Sequence, residues 1–298
     1  MNWHFKTIGI VGTHRNPLVA ETVEHLISLM AQWGLQAFIE NETANALESC
    51  SLKALELTKI GEQCDLIIAV GGDGNLLQTA RTLSLSDTPV VGINRGELGF
   101  LTDILPDRLE EDLKPLLQGK FDEEKRFLIE GLINGNQCEK GLSNALNDIV
   151  IFPGEAAQLI EFEIEINGKF VYSQRSDGLI VSTPTGSTAY ALSAGGPIVE
   201  PHLDVLLLIP KFPHSLTNRP LITHGSNKIQ IHIGDYNTVS PKISYDGHST
   251  CTLQAGDIVT IQKQQKPLRL LHPHGYNYYA SLRSKLHWGT QLIPLKER

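Results

Sequence analysis

Asp73 stands among three glycines in the stretch Val70-Gly71-Gly72-Asp73-Gly74-Asn75, directly after the apolar run from Leu66 to Ala69. Glycine gives up side-chain contacts and costs backbone entropy, so this density needs a reason. Such a loop lets a ligand approach the main chain, and its amides can point at phosphate oxygens. The helix expected to open at Asn75 adds its positive end. A carboxylate repels phosphate, so Asp73 must have another task. It could accept the proton of an attacking hydroxyl, or lie near a divalent cation. The plain alternative is a turn in which Asp73 caps the helix, and these residues alone leave the two readings level. The loop is neither GxxxxGK[ST] nor GxGxxG.

A second stretch, Gln174 to Val199, reads QRSDGLIVSTPTGSTAYALSAGGPIV. After the strand-like LIVS it crowds Ser182, Thr183, Thr185, Ser187, Thr188 and Ser193 among glycines. Hydroxyls and main-chain amides in that density suit a polar, sugar-bearing ligand, and Tyr190 offers an aromatic face to a base. The alternative is a hydroxyl-rich loop leading into a capped helix from Ser187. Its length and its pairing with the glycine loop favour the ligand.

The elements that must carry these stretches change character along the chain. TIGIVG (7–12), QAFIE (36–40), DLIIAV (65–70) and PVVGIN (89–94) read as buried strands. Continuous apolar runs of this kind belong to a parallel sheet covered on both faces. Between them, residues 17–33 carry Val19, Val23, Leu26, Ile27 and Met30 at helical spacing, with Pro17 to start and Gly34 to stop. A helix is also expected over 44–62 and another over 75–83. From about residue 126 the pattern alternates. Phe162, Ile164 and Ile166 oppose Glu161, Glu163 and Glu165, Asn167-Gly168 reads as a hairpin turn, and residues 228–234 and 257–263 alternate similarly. The end, residues 278–288, returns to helical spacing. The expected fold is an α/β N-terminal domain with a Rossmann-like parallel sheet (1–125, joined by 268–298). A β-rich, sandwich-like domain (126–267) follows, and the C-terminal helix returns to the first domain.

Composition narrows the function. The 298 residues are 41% hydrophobic and 19% charged, which is ordinary for a globular protein with a sizeable core. A net charge of −8 without a basic cluster argues against nucleic acid as the main partner. The first residues show no apolar run like a signal peptide, and VLLLIP is far too short to span a membrane, so a cytoplasmic location is expected. Four scattered cysteines with no CxxC pair suggest neither a zinc knuckle nor a disulfide framework. His272-Pro273-His274-Gly275 has the look of a metal pair but lacks further ligands, and is read as a loop.

Taken together, GGDGN, NRGELGFLTD (94–103), LNDIVI (146–151), SDGLIVSTPTGSTAYALSAGGPIV (176–199) and RPL (219–221) resemble the NAD kinase family over about residues 7–288. GGDG alone is shared with diacylglycerol kinases and phosphofructokinases; the threonine-glycine stretch is the specific part. The resemblance implies phosphorylation of the 2′-hydroxyl of the adenosine ribose of NAD, with ATP or polyphosphate as donor and a divalent ion, Mg²⁺, as cofactor. It implies Asp73 as general base, with Gly71, Gly72, Gly74 and Asn75 along the phosphates. Asn147 and Asp148 would hold the adenosine, although many members carry glutamate at the second position. Thr188, Ala189, Tyr190, Ala191, Leu192 and Ser193 would line the adenine and nicotinamide pockets. Arg175 and Asp177 match positions whose contacts partly cross a subunit interface, which implies a homodimer or homotetramer. Arg175 goes with preference for oxidised NAD in the family. His248 falls where relatives often have glutamine. Each has a plainer alternative: a strand-end turn for Asn147-Asp148, a turn pair for Asp177-Gly178, a surface ion pair for Arg175, an exposed turn for His248. A lipid or sugar kinase and a non-catalytic dinucleotide sensor are the rival functions; a dehydrogenase lacks its glycine fingerprint here.

Overall fold

The computed structural model describes residues 2–12, 16–95, 99–138, 143–155, 158–215 and 217–287. The chain divides into two compact units, Met1–Glu124 with Arg269–Arg298, and Lys125–Leu268.

The first unit is built on a sheet from β1 (Thr7–Gly12), β2 (Gln36–Glu40), β3 (Lys53–Leu55), β4 (Leu66–Gly71), β5 (Val90–Asn94), β6 (Phe121–Arg126) and a late strand, Leu268–Pro273. Its order is β3-β2-β1-β4-β5, then the late strand, then β6. Every neighbour pair from β3 to the late strand is parallel. Leu66, Ile67, Ile68 and Val70 of the central β4 are all fully buried, each side chain contributing about 1.5–3 kcal/mol. Helix α1 (Pro17–Trp33) starts where Asn16 accepts a hydrogen bond from the Leu18 N–H and stops at Gly34, φ 68°. It seals one face with Val19, Val23, Leu26, Leu29, Met30 and Trp33.

The helix expected over 44–62 is not a single one. A short α2 (Asn41–Asn45), strand β3 and α3 (Leu57–Gln63) replace it. The sequence between Ala46 and Lys53, LESCSL, supplies no capped apolar face, and the sheet edge takes Lys53–Leu55 instead. Helix α4 (Asp73–Thr82) opens two residues before the expected Asn75. Helix α5 (Leu109–Leu117) completes this part of the unit.

The second unit is two six-stranded antiparallel sheets. One contains β7 (Ile129–Ile133), β8 (Asn144–Ala145), β10 (Ile160–Ile166), β11 (Lys169–Ser176), β15 (Ile229–Ile233) and β18 (Ile258–Lys263). The other contains β9 (Asp148–Phe152), β12 (Gly178–Ser182), β13 (Val205–Lys211), β14 (Leu221–His224), β16 (Lys242–Tyr245) and β17 (His248–Thr252). The alternation read in Phe162, Ile164 and Ile231 delivers those side chains to one core shared with Ile149, Val181, Leu208 and Ile243 of the opposite sheet. Asn167 and Gly168 both have positive φ, 52° and 73°, as a two-residue hairpin between β10 and β11 requires. A short α6 (Tyr190–Ser193) follows β12.

The late strand, β19 (Leu268–Pro273), returns the chain to the first unit, and α7 (Tyr278–Leu286) follows, capped by Asn277. Trp288, the last residue of the expected terminal helix, lies outside the described residues, as do Gly96, Glu97 and Leu98 of the 94–103 motif.

One expectation is overturned here. Cys138 and Cys251 pair as a disulfide, their Cα atoms 6.2 Å apart, within the usual span of such a bond. They are 113 residues apart in sequence, so spacing gave no hint; folding brings Cys251 of β17 to Cys138, which follows β7. Cys50 and Cys64 are free.

Candidate functional site

In the first unit the glycine loop sits where β4 gives way to α4, at the carboxyl edge of the parallel sheet, where α/β folds bind ligands. Gly71 has φ 150°, a conformation open in practice to glycine only. Gly72 and Gly74 are different. Gly72 has φ −94° and Gly74 is helical, so neither needs glycine for its backbone, and a Cβ on either would meet nothing within 4 Å. Among the described residues nothing asks those two positions to be bare. A ligand approaching from outside would.

Asp73 is not the helix cap. The cap position belongs to Gly72, with no side-chain hydrogen bond to the helix end. The Asp73 carboxylate instead accepts from the Phe100 N–H at 2.6 Å, the Leu101 N–H at 3.0 Å and the Thr102 hydroxyl at 3.3 Å. A Cβ on Gly99 would collide with Asp73 Oδ1, so the loop after β5 is fitted around this carboxylate. A carboxylate offers about four acceptor positions; these three bonds leave one on Oδ2 for an incoming donor. Asn75 is turned inward, its amide donating to Val70 O at 3.0 Å, and lines a separate cavity of about 190 Å³ with Gln78 and Thr79.

In the second unit a cavity of about 410 Å³ is lined by Asn147, Asp148, Ala189 and Tyr190, four of the expected binding residues. Phe152, Lys211, Ser244, Asp246 and Gly247 join them. Asp246 and Gly247, φ 50° and 72°, form the two-residue turn between β16 and β17. The Asp246 carboxylate accepts from the N–H groups of Leu146, Asn147 and Asp148 at 2.8–3.0 Å, fixing the entry to β9. Burial, and then the charge of Asp246, push the Asp148 carboxyl up to about 7. A second cavity of about 370 Å³ shares Tyr190 and Lys211 and adds Ser193 and Arg219. Lys211 Nζ lies 5.1 Å from the Tyr190 ring centroid.

The sequence argument from hydroxyl density needs correcting. The Ser182 hydroxyl donates to Asn147 O and Thr183 O, Thr183 to Leu146 O, and Ser187 to Pro184 O and Val199 O. All three side chains are fully buried. They satisfy carbonyls of the segment's own irregular backbone, as a buried loop requires. Thr188 likewise donates to Thr185 O. The helix from Ser187 in the alternative reading is here a 3-10 turn, Thr185–Thr188, followed by α6.

The remaining expected residues scatter. Ala191 is fully buried in a cluster with Ile180, Val199 and Leu207. Thr188, Leu192, Arg175, Asp177 and His248 line neither cavity. Arg175 is exposed on β11, 3.9 Å from Glu161, and His248 is exposed just past the Asp246-Gly247 turn. Sequence reading missed Lys211, Ser244 and Asp246. The pair Asp246-Gly247 carried a hairpin-turn signal beside His248 that pointed one residue away from the site. His272, read as a loop residue, is on β19 and fully buried between Asp103 and Glu124.

Among the described residues no three of His, Cys, Asp or Glu come together as a metal cage.

Comparison with known proteins gives a consistent answer. Residues 8–121 match the family model described as the ATP-NAD kinase N-terminal domain, and residues 146–272 the ATP-NAD kinase C-terminal domain. The chain is 46% identical over 288 residues to an NAD kinase of Chromohalobacter salexigens, covering 97% of this chain and 98% of that one. It is 47% identical over 286 residues to one of Hahella chejuensis, covering 96% and 97%. A solved NAD kinase of Archaeoglobus fulgidus in complex with ATP superposes with a TM-score of 0.74 at 26% identity, covering 94% of this chain and 98% of that one. A yeast NADH kinase complexed with NADH shares the fold, with a TM-score of 0.85 at 24% identity, covering 98% and 90%.

Proposed function

The chain belongs to the ATP-NAD kinase family, and on that premise we propose that it transfers the terminal phosphate of ATP to the 2′-hydroxyl of the adenosine ribose of NAD, giving NADP. The observation that carries the reading is the 410 Å³ cavity of the second unit. It joins an amide, a buried carboxyl and an aromatic ring (Asn147, Asp148 and Tyr190), the side chains that adenosine recognition needs.

In this reading Tyr190 offers its face to the base, and Asn147 and Asp148 hold the ribose. Ala189 and Ser193 line the rest of the dinucleotide, with Thr188, Ala191 and Leu192 as the frame behind. Gly71, Gly72, Gly74 and the opening turn of α4 carry the donor phosphates on main-chain amides. Asp73 uses its remaining acceptor position for the 2′-hydroxyl. A ribose hydroxyl is a poor nucleophile, and phosphoryl transfer passes through a loose transition state, so orientation dominates and the proton leaves late. Proton transfer of this kind contributes roughly 10²–10⁴-fold. A divalent ion such as Mg²⁺ would supply charge neutralisation for the transfer. Arg175 and Asp177 are assigned to contacts completed in a homodimer or homotetramer, and His248 to a polar contact with the dinucleotide. The proposed location is the cytoplasm; among the described residues no helix is long and apolar enough to cross a membrane.

The test is incubation with NAD, Mg²⁺ and either ATP or polyphosphate, with NADP read by an NADP-specific dehydrogenase. NADP formation from NAD is expected. Phosphate transfer to a lipid or sugar with none to NAD contradicts the reading, as does NAD binding without NADP.

A further inference from the structure

The glycine loop has no lysine of its own, yet the first unit places one beside it. Lys285, on the last turn of α7, sends its side chain back over the Phe100 ring, with Nζ 3.9 Å from the centroid. Phe100 is the residue whose N–H holds Asp73 Oδ2. The Lys285 Nζ is out of contact with solvent and has no hydrogen-bond partner among the described residues. A buried ammonium with three unused donors is costly unless something meets it.

Its surroundings keep it charged without bonding it. Asp73 and Asp103 are the two carboxylates whose charges reach it. Asp103 is itself ion-paired to Nδ1 of His272, whose Nε2 lies 3.3 Å from Glu124, while Tyr276 stacks on the imidazole at 3.8 Å. Burial works against the imidazolium, and the bonds to Asp103 and Glu124 outweigh it, so its affinity for a proton is raised. Charge therefore alternates from the interior to the loop: Glu124, His272, Asp103, Lys285, Asp73. Burial pulls the Lys285 amine down to about 8, against the two carboxylates.

The geometry points to Lys285 as the phosphate-binding cation of the donor site, its ammonium taking an oxygen of the terminal phosphoryl group beside Asp73. The assignment rests on the kinase reading above. It answers a difficulty in that reading, since Asp73 alone would repel the group it helps to transfer. The ammonium offsets that repulsion and finds the acceptor it lacks. The charge of Asp103, itself fixed by His272 and through it Glu124, favours the ammonium form.

The test compares wild type, Lys285→Met and Lys285→Arg, each checked for folding by its melting temperature. Binding of Mg-ATP is measured by calorimetry, and KM for ATP and for NAD by NADP formation. Lys285→Met is expected to bind ATP about ten- to a hundredfold more weakly, the loss typical of a charged hydrogen bond. KM for NAD should stay within about twofold, because NAD is held by other residues. Lys285→Arg should recover part of the loss. In wild type, kcat/KM for ATP should fall above pH about 8 as the amine deprotonates; that limb should vanish in the Met variant and move higher in the Arg variant. Equal ATP binding by wild type and Lys285→Met overturns the assignment, as does an unchanged alkaline limb. If wild type binds ATP yet makes no NADP, the kinase reading falls while the binding comparison still decides Lys285.

Discussion

Asp148 is 4% exposed, and burial first, then Asp246, raise its carboxyl from the ordinary 3.8 to about 7. The native state thus holds a proton that the unfolded chain releases near pH 4. Where the folded form binds more protons, stability falls as pH rises. This group's contribution is fully present below about pH 4 and is lost as pH climbs through about 7. Denaturant midpoints of wild type should therefore decline relative to Asp148→Asn between those limits; parallel curves would remove Asp148 from the account. Binding runs the other way. Ribose hydroxyls donate to the ionised carboxylate, so NAD affinity measured by calorimetry should rise as pH passes about 7. Asp148→Asn should flatten that rise.

At the scale of the element, the turn from β4 into α4 separates structural glycine from functional glycine. Among the described residues the new methyl of Gly72→Ala or Gly74→Ala meets nothing; Gly74→Ala should leave melting temperature unchanged or slightly raised, since Gly in a helix costs about 0.5–1 kcal/mol relative to Ala, and Gly72→Ala, at the cap, should lower it only slightly. Both should bind ATP at least about tenfold more weakly if phosphates lie on that backbone. Variants that keep full ATP affinity would place the phosphates elsewhere. This contrast was half legible in sequence. The strands, α1 and the Asn167-Gly168 turn were readable because period and cap residues agreed. The loop's importance was readable from its glycines. The bonds from Asp73 to residues 100–102 were not, because they join segments 27 to 29 residues apart through folding alone. The serines and threonines of 182–188 misled for a related reason. Their type suggests a ligand, whereas their burial assigns them to the protein's own carbonyls. Asp246 was invisible for its role: a turn aspartate looks like any other until its three amide donors are seen.

At the scale of the whole molecule, each unit carries its own core, and the second also carries the Cys138–Cys251 bond. Disulfides of this kind are worth about 2–4 kcal/mol, mostly by restricting the unfolded chain. Reductant should lower the melting temperature of wild type and leave a Cys138→Ser, Cys251→Ser double variant unmoved; no shift in wild type would mean the pair stands as thiols in solution. The central claim of the proposed function, however, is that Asp73 takes the proton of the 2′-hydroxyl of NAD. The direct measurement is single-turnover NADP formation by Asp73→Asn with saturating NAD, ATP and Mg²⁺, alongside its Kd for NAD. Expected is a rate roughly 10²–10⁴-fold below wild type with NAD binding unchanged. A variant that forms NADP at the wild-type rate would contradict the account.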